Sequence, residues 1–220
     1  MTPALIEGKA LPSGLVRKRP TQAEFEKVLR GHRTQLQSLI LQLNSGVLNI
    51  AEFGDEFYKL LLEGHADSWA LGRQRAGDLT QSGPDDLLIA RGIADGQSEF
   101  LNDFLNSLEN DARYRYEDGT FNLKIVTNRS DMYVSRMRAT ASEAFVEASD
   151  SGDEFNWVLG DVEEHCGDCP ELASISPWTA DTLFTHPGAG DTPCLTNCKC
   201  HLVRLSDEIT AFLPVDLKAA

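Results

Sequence analysis

Five cysteines fall in the last quarter of this 220-residue chain, as Cys166 and Cys169 and then Cys194, Cys198 and Cys200, with none before them. The two-residue spacing of Cys166 and Cys169 brings their sulfurs round one tight turn, close enough to grip a single ion. A second cluster downstream can close a tetrahedral thiolate cage around it. Cys198 and Cys200 project the same way from an extended backbone, so both can reach that ion. Cys194 can replace either of them or stay a buried thiol. The pattern predicts a structural zinc site that uses four of the five sulfurs. Disulfides, a redox pair and small buried thiols are the competing chemistries. Disulfides need an oxidising compartment, and residues 1–9 show no apolar stretch of the secretory kind.

Other groups nearby could join the chemistry. His165 and His201 adjoin Cys166 and Cys200, but alternation along an extended segment turns both away from the metal, and His186 stands in a loop before Pro187. Glu163 and Glu164 have the chemistry of general bases, yet an all-thiolate cage is coordinatively closed and leaves no position for a hydrolytic water. G-x-S-x-G, P-loop, H-E-x-x-H and G-x-G-x-x-G patterns are missing. The upstream His-x-Glu of a zinc deaminase is missing too. A redox C-x-x-C belongs at a helix start after a strand in a thioredoxin-like fold, which the helical pattern here does not offer. The expectation is a metal that holds structure together, in a protein that is not an enzyme.

The elements that must position this cluster are helical. Thr21 and Glu24 form a capping box, and Phe25, Val28, Leu29, His32, Leu36, Leu39, Ile40 and Leu43 follow at helical spacing to about Asn44. His32 reads as a packed or hydrogen-bonded histidine. Asn49 and Glu52 cap a second helix with the stripe Ile50, Phe53, Phe57, Leu60, Leu61, His65 and Trp69, fraying from Gly72 to Gly77. Gly54 and Gly64 inside it predict close packing of another helix. Pro84 opens a third, whose stripe runs from Leu87 to Leu108 with Gln97 as its one polar break. A fourth runs from Val126 through Tyr133, Met137, Ala141 and Phe145 to Ala148, with Arg129, Arg136 and Arg138 off this face or at its rim. Long helices with short links predict a mainly α protein, an elongated antiparallel bundle of about four helices.

The chain divides into an extended arm over residues 1–20, punctuated by Pro3, Gly8, Pro12, Gly14 and Pro20, a helical domain over 21–150, and a Cys-rich module over 151–220. That last region is rich in Gly, Pro, Asp and Cys, and too small to fold by burial alone, so metal binding would supply folding energy. A formal charge of −14 argues against general nucleic-acid binding, and no apolar run is long enough to span a membrane. A zinc ribbon that binds nucleic acid remains the alternative reading, with Lys199 and Arg204 as its basic residues.

On these residues the C-terminal stretch resembles the phage head morphogenesis, or minor head protein, family typified by the Mu F-like proteins. The likeness rests on Trp157 to Asp161, Glu164 to Cys169 with Leu172, Trp178, Pro187 to Cys194, and Asn197 to Leu202. Arg129, Tyr133 and Glu143 to Phe145 resemble the segment that leads into the family's module, so the match covers about residues 129–203. Lys199 stands where arginine is usual, and Cys194 where many members place a histidine. The resemblance implies a tryptophan-led strand before the Cys166–Cys169 turn, and hence short β-strands in a zinc-clamped module. It implies a virion protein at or near the portal vertex, made in the host cytoplasm and acting in head assembly, DNA packaging or ejection. Portal and capsid subunits, and further copies of itself, are the expected partners.

Overall fold

The computed structural model describes residues 19–79 and 83–207. Most of the expected arm, including Leu5, Ile6, Leu11, Leu15 and Val16, therefore lies outside the described residues, as does the end of the Cys-rich region from 208 onward. Of the arm, Arg19 is described, and its guanidinium donates to Asp207 at 2.8 Å.

Three long helices come first: α1 (Gln22–Asn44), α2 (Ile50–Ala76) and α3 (Pro84–Asn110). Their starts follow from local chemistry. Thr21 accepts from the Glu24 N–H while Glu24 accepts from the Thr21 N–H, and Asn49 and Glu52 repeat the exchange. Asp86 accepts from the Gly83 N–H at 2.8 Å and also holds Arg73 of α2, so the α3 start is pinned to the α2 end. Gly77 ends α2 in the left-handed region, at φ 103°, where a side chain would be strained.

The segment predicted as one fourth helix is two. α4 (Leu123–Ser135) and α5 (Met137–Glu147) meet at Arg136. Arg136 keeps helical angles, φ −63° and ψ −20°, so the apolar spacing runs through the junction unchanged and gives no sign of it. α2 is the centre of the body: α1, α3 and α5 pack on it, and α4 packs on α1. Phe53, Phe57, Phe104 and Tyr133 form its aromatic heart, and the Tyr133 hydroxyl donates to the Phe100 carbonyl at 2.7 Å. Gly54 and Gly64 are points of close approach, against Leu105 and Met137. Gly72, expected to belong to a fraying end, lies inside α2 instead. A Cβ there would strike the Ala141 carbonyl oxygen, so α2 and α5 pack backbone against backbone.

The one polar break in the α3 stripe has a partner. Gln97 reaches across to the fully buried His65, whose other ring nitrogen lies 2.8 Å from Thr140 Oγ1 on α5. His32 is likewise buried and paired, with Asp67 at 3.1 Å. Arg138, expected off the apolar face, is 5% exposed and forms a two-toothed pair with Glu26.

Beyond α5 a three-stranded antiparallel sheet forms from β1 (Glu154–Val158), β2 (Trp178–Thr179) and β3 (His201–Arg204), in the order β2-β1-β3. A short helix, α6 (Asp168–Ser174), lies between β1 and β2. The module does not stand apart from the bundle. Phe155, Trp157, Leu172 and Leu202 share one apolar cluster with Ala76 of α2 and with Phe145 and Val146 of α5. Burial against the helices thus supplements whatever a metal contributes. Arg204 locks the junction: it donates to the Ala76 carbonyl at 2.9 Å and pairs with Asp153 at 3.3 Å.

Candidate metal centre

The sheet is what brings the two cysteine segments together. Pairing of β1 with β3 sets Trp157 opposite Leu202, which carries Cys198 and Cys200 to the side where the chain leaving β1 delivers Cys166 and Cys169. Leu202 and Arg204 face inward on β3 while His201 and Val203 are half-exposed, the alternation of a strand with one buried face. Cys169 takes the second position of α6, and its neighbour Leu172 anchors that helix in the apolar cluster. Gly160 allows the closest crossing: a Cβ there would collide with the Lys199 backbone.

All five predicted cysteines converge, and all five are free thiols. Cys166, Cys169 and Cys194 form one group with mutual sulfur separations within 4.8 Å, and Cys169, Cys198 and Cys200 form another. Cys169 is common to both. Its sulfur lies 3.2 Å from that of Cys166, 3.7 Å from Cys194 and 3.8 Å from Cys198. A tetrahedral thiolate site with metal–sulfur bonds of about 2.3 Å has sulfurs about 3.8 Å apart. The donor set and its spacing therefore fit a metal ion held by sulfur.

The electrostatics point the same way. Five crowded sulfurs cannot all ionise by themselves, and the group divides. The Cys198 thiol donates to Cys200, and with help from the Gly160 N–H it brings Cys200 down to about 5 against the effect of burial. Burial opposes ionisation of Cys166 as well, but its contacts with the side chains and backbones of Cys169 and Cys194 carry it below the usual thiol range. Their neighbours move the other way: burial, then the contact with Cys166, pushes Cys169 up, and the bond to Cys200 pushes Cys198 up. A divalent cation among the sulfurs would remove this conflict, because coordinated thiols deprotonate outright. The Trp157 indole N–H is buried without a hydrogen-bond partner, and it contributes to the field on Cys200. A thiolate there is the acceptor that this donor lacks.

The neighbouring candidates stay outside. His165, His186 and His201 belong to neither sulfur group. Glu163 and Glu164 are exposed. Thr192 approaches Cys194 at 3.1 Å between its hydroxyl and the sulfur, a contact that the cysteine spacing could not announce. Arg204 is 7% exposed and occupied inside the protein, and Lys199 is at the surface, its pKa lowered by desolvation first and then by the charges of Arg138 and Arg33. Among the described residues, no helix is long and apolar enough to cross a membrane. Comparison of the chain with protein-family models, with curated proteins and with solved structures finds no match.

Proposed function

We propose that this chain is a non-enzymatic structural protein of a phage head, acting at or near the portal vertex in head assembly, with a zinc ion as the clamp of its C-terminal module. The observation that carries this reading is the convergence of Cys166, Cys169, Cys194, Cys198 and Cys200 behind the Trp157 strand, where the resemblance to Mu F-like minor head proteins locates a zinc knuckle. When bound, the ion supplies cross-linking and charge neutralisation, and it performs no step on a substrate. The chain's own residues do the rest. β1 and β3 set the register of the two cysteine segments, Gly160 lets them cross, and Phe145 and Arg204 fasten the module to the helices. The faces left on α1 and α3 are then the surfaces for portal or capsid subunits.

The zinc-ribbon alternative is weaker on two grounds. The chain carries a net charge of −14, and the Arg204 guanidinium is spent on Ala76 and Asp153. The test is to identify the genes beside its own, which should encode portal and major capsid proteins, and to co-express the chain with those proteins and sediment the assembled particles. Sedimentation of the chain with heads or portal rings is expected. Neighbouring genes of another kind, or particles that never retain it while it binds DNA in a salt-sensitive way, would overturn the reading.

A further inference from the structure

A cavity of about 580 Å³ opens between α3 and the α4–α5 pair. α3 and α5 each pack on α2, and a trough is left between them. Its floor is apolar, from Ile93, Phe100 and Met132. Gly92 and Gly96, one helical turn apart on α3, also face it, and a Cβ at either would meet nothing within 4 Å. One wall comes from Thr196, which sits between Cys194 and Cys198, so the thiol centre fixes the shape of the opening.

Two guanidiniums, those of Arg129 and Arg136, line this apolar space. Among the described residues neither makes an ion pair. Arg136 donates to the Ala189 carbonyl at 3.3 Å, and Arg129 approaches the Met132 sulfur at 4.0 Å. Glu143 shares the concavity and feels the Arg136 charge without forming an ion pair with it, and the Arg129 guanidinium lies 5.8 Å from the Tyr133 ring centroid, so both arginines keep the capacity to pair with a ligand's carboxylate. Polar atoms inside repeat the message. Gln97 is 5% exposed and uses its amide nitrogen on His65, which leaves Oε1 buried without a partner. Thr196 Oγ1 is buried and unpartnered as well. Buried polar groups normally find partners: the Thr196 hydroxyl can donate to a ligand's carboxylate, whereas Gln97 Oε1 only accepts and needs a donor such as water.

Concave, mostly apolar spaces of this size with a few convergent polar groups are the usual form of small-ligand sites, including those between helices. We infer that the cavity binds an apolar monocarboxylate, its body on Ile93, Phe100 and Met132 and its carboxylate on Arg129 and Arg136. Arginine suits a carboxylate because its planar fork matches the two oxygens. Glu143 lines the same space and would repel a second negative charge, which selects a monoanion over a dianion. The inference does not depend on the proposed head-assembly role.

The test uses the full chain purified with its metal and three probes that share one ring system: 2-naphthoate, 2-naphthyl phosphate and 2-naphthylmethanol. Titration calorimetry should find 2-naphthoate saturable at one per chain, with the alcohol and the phosphate each at least about tenfold weaker. Arg129→Gln with Arg136→Gln should weaken 2-naphthoate by a similar factor. Gly96→Leu is the control that separates binding from folding: leucine favours a helix and projects into open space, so the variant should keep its circular dichroism and thermal transition yet lose the ligand. No saturable binding of 2-naphthoate, equal affinity for the alcohol, tighter binding of the phosphate, or undiminished binding by a folded Gly96→Leu variant would each overturn the inference.

Discussion

Cys169 is the sulfur on which the centre turns, because both triads contain it. One metal ion per chain is expected in protein purified without added metal, with Cys169→Ser abolishing it and Cys194→Ser or Cys166→Ser, each confined to one triad, leaving a measurable fraction. Elemental analysis of the variants reads this directly, and stable metal-free protein with intact disulfides would refute it. That these five thiols meet was legible in their spacing. The division of labour among them was not, because it depends on Gly160, Trp157 and Thr192, whose approach is set by the fold. His65 makes a second prediction at this scale. Burial first, then the charges of Arg136 and His32, lowers it to about 4 from its ordinary 6.5. A histidine kept neutral in the folded state contributes stability that is fully present above the unfolded pKa and is lost as pH falls from about 6.5 towards 4. The loss reaches about 3 kcal/mol at the lower end. His65→Gln should flatten that part of the stability–pH curve relative to the native chain in denaturant titrations, whereas an unchanged slope would mean that other groups carry it.

Among the helices, glycines separate contact from vacancy. Gly72 is where the α2 and α5 backbones touch, so Gly72→Ala must push them apart, at a cost of about 1–3 kcal/mol. Gly92→Ala and Gly96→Ala face open space, and each should stabilise by up to about 1 kcal/mol, since alanine forms helix more readily than glycine. Thermal unfolding of the three variants should move the melting temperature in opposite directions. A Gly72→Ala variant as stable as the native chain would mean that α2 and α5 can separate without loss. The apolar stripes, the caps at Thr21 and Asn49 and the α3 start at Pro84 could all be read from the sequence, because each depends on residues within one or two turns. The junction at Arg136 could not, since both sides share one helical phase. Nor could the inward turn of Arg138, whose partner Glu26 is 112 positions away. Gly72 looked like a fraying end for the same reason, as its role comes from Ala141 on a distant segment.

At the scale of the whole molecule, the question is whether the thiol-bearing module and the helices unfold together. Among the described residues, two apolar clusters are present. One holds Phe53, Phe57, Leu61, Phe104 and Val126 and lies within the helices, while the other joins Ala76, Phe145 and Val146 to Phe155, Trp157, Leu172 and Leu202. Removing a metal held by these thiols would attack only the second. Uncompensated thiolates would loosen the sheet and α6, exposing one side of Phe145 but leaving the first cluster intact. Chelation, or Cys169→Ser, should therefore release residues after about 150 to protease and hydrogen exchange while most helical circular dichroism persists, giving two transitions instead of one. Phe145→Ala makes the complementary cut. It removes a ring that packs against Phe155 and lies beneath the guanidiniums of Arg75 and Arg204, at a cost of about 3–5 kcal/mol. Because Phe145 belongs to α5, which is seated on α2, this change should lower the helix transition as well and weaken metal retention. If chelation instead erased the whole helical signal in one step, the metal would be a condition of the entire fold, and the second cluster would have to be the nucleus on which the helices assemble.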